Sequence, residues 1–403
     1  MNIAFIGYQY PYGNKDFGKS LDVQIFVESV SLAIEKKVSP FYIDNYMNNK
    51  KQQMDQYIKE FCGQLNPDLI LFNLINDEIS VDLLKDLKKN YSTLNWFGDD
   101  QWRYDSFSKK IAQYFTYKVT TDKFSVEKYK KDGHSNVFLS QWAGVELYNI
   151  NLTADEIDYI FDISFIGAYS PVREWITDYL KSNGINVECF GFNWPSGPIS
   201  SEKMLNYFRL SKINLNLSNS VNNDLDFVKY NIINLFRSFR FLLQFKAKDF
   251  YNLAIKSLKG IKLFFTYEKT SEQIKARNFE IPMSYGFQIT NYALSIEDYY
   301  NIGKEIVVFN NKEELLKLCR YFIREKKLRK KILHRSYLRS MEHTYVDRFK
   351  TIINQINNRL SINQLKEYGN QLWVVNPYNE YFGNIISVYD YNSGLWTGKS
   401  LGN

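Results

Sequence analysis

The chain has 403 residues, too many for one ordinary hydrophobic core, so two domains are expected. A hydrophobic fraction of 45% excludes disorder, and a formal net charge of +7 permits anionic ligands or an anionic membrane surface without demanding nucleic acid. Cys62, Cys189 and Cys319 lie far apart with no paired spacing, which excludes a disulfide framework and a zinc site and fits reduced, buried thiols.

In chain order, Met1–Gly7 reads as a buried strand ending in glycine, followed by the loop YQYPYGNKDFG and a helix over about Ser20–Lys36. Strand Phe41–Asp44, helix Lys51–Leu65, strand Asp68–Ile75, helix Ser80–Lys89 and strand Thr93–Phe97 follow, and the last of these ends at Gly98-Asp99-Asp100. A helix near Ser106–Tyr114, strand Tyr117–Thr121, helix Ser125–Lys131 and strand Asn136–Ser140 complete a first domain, residues 1–150. Strands alternating with helices imply right-handed crossovers and a parallel sheet covered on both faces.

A polar connector, Leu147–Tyr159, leads to Asp162–Gly167 (DISFIG), which repeats the opening pattern of a strand ending in glycine. Helix Val172–Ser182, strand Asn186–Gly191, helix Ser201–Leu210 and strand Ile213–Leu217 come next. Ser271–Tyr292 then supplies a helix and the strand Phe287–Thr290, followed by strand Glu305–Phe309 and helices Lys312–Glu325 and Leu328–Met341. The fold class is therefore α/β, two tandem Rossmann-like, doubly wound domains (residues 1–150 and 151–349), with ligands expected in the cleft at the carboxyl ends of the strands. Residues 221–267 interrupt the second domain with a helical, aromatic and basic insertion, read either as a membrane-surface or acceptor-docking element or as a hairpin packed on its parent domain. Residues 350–403 form a C-terminal extension, a helix and an aromatic tail expected to pack on the body.

Opening on a strand, with no basic leader or cleavage site, and holding no apolar run near the ~18 residues of a membrane span, the chain is expected to be cytoplasmic, at most peripheral at the inner face of the membrane.

The candidate chemistry centres on SEQIKARNFEIPMSYGFQITNY, Ser271–Tyr292. Pro282 should end regular helix near Ile281, and Gly286 should supply the left-handed turn into the strand. Glu280 then shares one short span with Lys275 and Arg277, an acid and two bases suited to a ligand bearing hydroxyls and phosphates. Asp99 and Asp100 follow the carboxyl end of a central strand, where a carboxylate can face the cleft, although capping of the next helix is an equal reading. Gly167-Ala168-Tyr169-Ser170 leads into a helix N-terminus with Arg173 on its first turn, which favours a phosphate, and Gly191 ends the next strand. No glycine-rich dinucleotide or P-loop fingerprint occurs. His134, His334 and His343 have no metal-ligand spacing; Asp224-Leu225-Asp226 has the form of a manganese-binding tripeptide that also arises by chance.

The second domain resembles the CgeB-like branch of the group-1 glycosyltransferases, which have the two-domain GT-B fold. The resembling stretches are DISFIGAYSPVREW, VECFGFNW, MLNYFRLSKINLNLS, QIKARNFEIPMSYGFQITNY, YYNIGKEIVVFNNKEELL and EHTYVDRF, with weaker ones in TLNWFGDDQWRYD, TTDKFSVEKYKKDG and NVFLSQWAG of the first domain. The resemblance implies transfer of a sugar from a nucleotide-diphosphate donor to a glycan, protein or lipid-linked acceptor, with retention at the anomeric carbon. In that family two glutamates separated by seven residues contact the sugar and the ribose. Glu280 matches the second and Glu272 stands in the place of the first, without the glycine-rich loop that usually follows it. Arg173, Lys275 and Arg277 are then candidates to neutralise the diphosphate in place of a metal, so no cofactor is expected. Asp99 and Asp100 fall on the acceptor side, and Trp102, Tyr10 and Tyr12 could stack on sugar faces. An epimerase or phosphorylase on the same fold, or a catalytically silent nucleotide-sugar-binding or assembly protein, are the alternatives.

Overall fold

Ile3–Gly7 (β1) is buried along its whole length, a run without alternation that can only lie inside a sheet covered on both faces. In the computed structural model it pairs in parallel with Ser39–Tyr42 (β2) and Leu69–Phe72 (β3). Ser92–Phe97 (β4), Tyr117–Thr120 (β5) and Val137–Leu139 (β6) extend a six-stranded parallel sheet in the order β2-β1-β3-β4-β5-β6. The structure describes residues 1–46, 51–145, 157–218, 224–244, 246–266, 269 and 271–365, with the strands at 371–375, 385–390 and 395–400; side chains at 12, 17, 242–243 and from 359 onward are outside that description.

The second sheet is also wholly parallel. Phe161–Ile166 (β7), Glu188–Phe190 (β8), Ser211–Asn216 (β9), Gln288–Asn291 (β10) and Val307–Phe309 (β11) stand in the order β11-β10-β9-β7-β8. In both sheets the order reverses beside the first strand, between β1 and β3 and between β7 and β9, which opens a crevice at the carboxyl ends there. The expected α/β class of two Rossmann-like domains holds.

Several boundaries moved for physical reasons. β2 begins at Ser39, two residues before the expected start, because Pro40 lies on the sheet's edge strand, where a missing N–H costs no internal ladder bond. The helix expected over Ser20–Lys36 is Leu21–Val23, a wide turn Gln24–Ser29 and Val30–Ile34, closed by Glu35 in the left-handed conformation at φ 54°. The domain boundary expected at 150 and most of the Leu147–Tyr159 connector fall in residues 146–156, outside the described residues.

The chain divides into two units, Met1–Arg348, which holds both sheets, and Phe349–Asn403. The second unit carries a three-stranded antiparallel sheet, Gln371–Val375 (β12), Ile385–Asp390 (β13) and Leu395–Ser400 (β14). Packing of its aromatic side chains on the body concerns side chains outside the described residues. Cys62, Cys189 and Cys319 are free and buried.

Candidate active site

The stretch from Ser271 to Tyr292 is irregular until Arg277, where a helix of seven residues begins, Arg277–Met283. Asn278 organises the entry, since its Oδ1 accepts from the Lys275 N–H at 2.9 Å. Pro282 lies inside the helix instead of ending it. The carbonyl its missing N–H would have served, that of Asn278, accepts from Gln288 Nε2 at 2.8 Å and from the Tyr300 hydroxyl at 3.0 Å. Proline therefore leaves no orphaned acceptor. The left-handed residue at the exit is Tyr285 (φ 58°), not Gly286. Glycine is required at 286 for closeness: a Cβ there would stand 2.8 Å from the Phe208 carbonyl oxygen and 2.9 Å from that of Ile281.

This short, fully packed helix fixes Glu280, which is 4% exposed. Its Oε2 pairs with the Arg277 guanidinium one turn earlier, and its Oε1 is buried with no hydrogen-bond partner among the described residues. A carboxyl group with one oxygen paired and the other orphaned is an acceptor prepared for a hydroxyl. Arg277 reaches along the Phe208 ring toward the Ile166 carbonyl at the end of β7, which places the pair beside the crevice between β7 and β9.

The irregular residues before the helix face the first domain. Lys275 Nζ pairs with Asp99 Oδ1 across the cleft, and Gln273 Nε2 donates to the Gly98 carbonyl at 2.6 Å. Gln101 Nε2 donates in return to the Glu272 carbonyl at 2.9 Å. Asp99 makes no capping bond to the helix it precedes, so of its two expected readings the cleft-facing one describes its geometry. Burial alone would raise its carboxyl pKa, but Lys275, then Lys269 and Arg103, hold it below the usual carboxylate value.

Asp100 is not brought to that cluster. It is 1% exposed and turned into the first domain, where the Tyr129 hydroxyl donates to its Oδ2 at 3.0 Å. Burial pushes its carboxyl up to about 7, against the opposing help of Ser108, Thr120 and Tyr129.

On the β7 side, Ser170 caps the helix Pro171–Ser182 by accepting from the Arg173 N–H at 3.2 Å. Gly167 and Gly191 touch. At Gly191, with φ 134°, an added Cβ would collide with the Gly167 carbonyl, and that carbonyl also accepts from Trp194 Nε1 at 3.0 Å. Tyr169 turns to Glu174, donating at 3.0 Å, with its ring under Lys256. Arg173 bridges main-chain carbonyls, those of Ala168 at 2.7 Å, Leu217 at 2.6 Å and Ser218, and thereby ties the ends of β7 and β9 together.

Glu272 stands on the opposite flank, where its Oε2 accepts from the Ser218 hydroxyl at 2.6 Å. It borders a cavity of about 580 Å³ lined also by Trp175, Asn291, Tyr292, Asn310 and Lys312. The two glutamates thus flank the carboxyl ends of the second sheet. Tyr10 sits over Asp44, whose Oδ2 accepts its N–H at 3.2 Å, and the Tyr12 side chain lies outside the described residues.

Sequence reasoning missed two members of this neighbourhood. Lys269 lies over the Trp102 ring at 4.8 Å, and burial followed by Lys275 lowers its pKa. No periodicity marks it. Asp22 sits just past the loop after β1, next to Leu21, which packs with Ile166 and Ile281 of the second domain. Burial pushes its carboxyl up to about 6, and with Glu280 it is among the charges acting on the buried Tyr345 hydroxyl. Asp22 follows β1 only after a loop that also holds Asp16, so nearness to a strand end does not single it out.

Asp224 lines the same cavity as Glu272, whereas the Asp226 carboxylate is taken up by two lysines. Lys312 at 2.7 Å and Lys229 at 2.9 Å hold the Asp226 carboxyl down at about 2. Among the described residues no three His, Cys, Asp or Glu side chains gather as a metal site. His343 is half-buried against Phe279 and Tyr299, and burial then Arg348 lower its pKa to about 4.

Residues 228–354 match a family described as glycosyl transferase-like, a match that runs through Ser271–Tyr292 and most of the insertion. No curated protein matches the chain. Among solved structures, HepE of Anabaena in complex with UDP-glucose aligns with a TM-score of 0.53 at 9% identity, over 89% of this chain and 99% of its own. A glycosyltransferase from Rickettsia africae aligns at 0.50 and 11% identity, over 90% and 99%. A Listeria monocytogenes structure assigned as a UDP-N-acetylglucosamine 2-epimerase aligns at 0.50 and 10%, over 89% and 96%. At such identities these likenesses speak to the fold, which is GT-B.

Proposed function

From a chain that carries a group-1 glycosyltransferase segment on a GT-B fold, we propose a glycosyltransferase whose donor is a nucleotide-diphosphate sugar bound at the carboxyl ends of the second sheet. The observation that carries this reading is Glu280, buried, held by Arg277 and left with an orphaned Oε1. A ribose hydroxyl donating to that oxygen would satisfy it with a charge-assisted bond. The crevice between β7 and β9 receives the diphosphate, next to the Gly167–Ser170 loop and Gly191. Lys275, Lys269 and Arg277 supply positive charge where the leaving group develops negative charge, so the transfer proceeds without a metal ion. Glu272 borders the sugar side of the site, and transfer follows the retaining course of the group-1 enzymes. Asp99, on the first-domain wall, faces the acceptor. Arg173 acts on the phosphates through the carbonyl frame it ties together.

Acceptor hydroxyls come from a glycan, protein or lipid-linked molecule in the cytoplasm or at the inner face of its membrane. HepE of Anabaena was solved with UDP-glucose, and a uridine donor is the first to test.

A panel of nucleotide-sugars should include at least one that raises the melting temperature by several degrees. Glu280→Ala should abolish that rise while the unliganded protein stays folded. Equal stabilisation of wild type and variant, or none from any donor, removes the assignment. Donor turnover surviving a chelator supports transfer without metal; strict manganese dependence returns attention to Asp224 and Asp226. Interconversion of the donor without an acceptor would make the protein an epimerase, and donor binding without turnover a silent sugar-nucleotide binder.

A further inference from the structure

The insertion is a pair of helices, Leu225–Leu243 and Ala247–Thr266, packed against each other. Their packing inverts the usual order. Asn231, Ser238, Ala254, Ser257 and Gly260 are the buried residues of the hairpin's middle, and a Cβ at Gly260 would collide with the Asn231 carboxamide. Small and polar residues let the two backbones approach. Phe227, Leu263 and Phe264 pack on the second domain's core, but six other large side chains point outward: Ile233 is 49% exposed, Phe236 70%, Phe239 51%, Tyr251 64%, Leu258 53% and Phe265 74%. In water a helical hairpin would bury those rings and expose its serines, so the outer face is matched to an apolar neighbour.

Charge identifies that neighbour. Residues 225–266 hold eight Lys and Arg against two Asp, in a chain whose formal net charge is +7. Arg237, Arg240, Lys259 and Lys262 stand exposed among the outward rings. Two copies meeting through this face would set like charges against each other. Neither helix is long and apolar enough to cross a bilayer. Apolar rings interleaved with cations along a surface helix are the pattern of a segment lying in the plane of an anionic membrane, with the rings at the acyl boundary and the cations among headgroups.

We propose that this hairpin docks the protein on an anionic lipid bilayer through the outward faces of its two helices. The hairpin is anchored to the body by the Tyr230 hydroxyl donating to Asp178 at 2.6 Å, and by Lys256 pairing with Glu174. A groove of about 490 Å³, lined by Tyr169, Pro171, Tyr251, Ile255 and Lys259, joins the second helix to the loop that opens the donor site. On the reading of that site as a glycosyltransferase, docking brings the bilayer surface alongside it and favours a membrane-borne acceptor. The docking itself stands on the hairpin alone.

The test is flotation of the full chain with vesicles of phosphatidylglycerol and phosphatidylcholine, against phosphatidylcholine alone. Binding to the anionic vesicles should be at least about tenfold stronger and should fall with salt. The triple variant Phe236→Ser, Phe239→Ser, Phe265→Ser and the double variant Arg237→Glu, Arg240→Glu should each bind roughly tenfold more weakly, with unchanged thermal stabilisation by donor. Leu258→Cys labelled with an environment-sensitive dye, selective because the three native cysteines are buried, should brighten and shift to the blue on anionic vesicles. Wild type remaining with the soluble fraction, variants floating as well as wild type, or unchanged dye emission would overturn the proposal. So would a dimer that the phenylalanine variant dissolves while vesicles fail to bind. Loss of donor stabilisation in wild type would overturn the donor site and leave the docking result standing.

Discussion

Asp99 and Asp100 are adjacent in sequence and opposite in electrostatics. Lys275 holds the first carboxyl below its usual range, while burial pushes the second to about 7. An unfolded aspartate titrates near ~3.9, so between about pH 4 and 7 folded Asp100 keeps a proton that the unfolded chain has released. Stability from this residue is therefore present at the acid end of that window and is lost as pH rises through it. Asp100→Asn should flatten that decline, worth roughly 3–4 kcal/mol, in denaturant midpoints measured across the window. Asp99 has the opposite sign: its contribution is present above about pH 4 and is lost as the medium becomes more acid. A sequence places both residues past the end of β4, yet which one turns to the cleft depends on a helix starting at Asp100 and on a lysine 176 positions away. Glu280, Lys275 and Arg277 were legible because proline, glycine and charge fall within one short span. Lys269 was not, because only the tertiary fold brings it to Trp102.

At the scale of elements, parallel strands were easy to read because burial on both faces erases alternation and leaves short apolar runs. Their ends were harder, since an edge strand accepts Pro40 where a central one could not. The same limit applies to Pro282. Proline in a helix interior normally costs about 3 kcal/mol, and its removal should then stabilise by a similar amount. Here Gln288 and Tyr300 already serve the Asn278 carbonyl. Pro282→Ala should therefore shift stability by less than about 1 kcal/mol in denaturant melts, whereas Gln288→Ala in the Pro282 background should cost about 1–3 kcal/mol by leaving a buried acceptor less well satisfied. The insertion was legible as helical and basic. Its inverted packing was not, because the alternatives differ only in which face of each helix turns inward.

For the molecule as a whole, the polar links between the two parallel sheets' domains include Lys275 to Asp99, Gln273 to the Gly98 carbonyl, Gln101 to the Glu272 carbonyl, Lys123 to Asp298, and main-chain bonds from Gly144 to His343 and Tyr345. Lys275→Ala combined with Gln273→Ala should split a single calorimetric transition into two, one for each domain, and raise the radius of gyration in solution scattering. A wild-type-like single transition would show that the remaining links, together with the apolar seam around Trp142 and Ile274, suffice. The Ser218–Glu272 hydrogen bond spans 54 positions, and the whole hairpin hangs between its two ends. The bond works like the clasp of a purse, with the hairpin as the strap. Because Ser218 and Glu272 bracket the hairpin in sequence and touch in space, the chain leaves and rejoins the sheet at one place. A push on the strap is therefore shared between that clasp and the Tyr230–Asp178 and Lys256–Glu174 anchors before it reaches the strands.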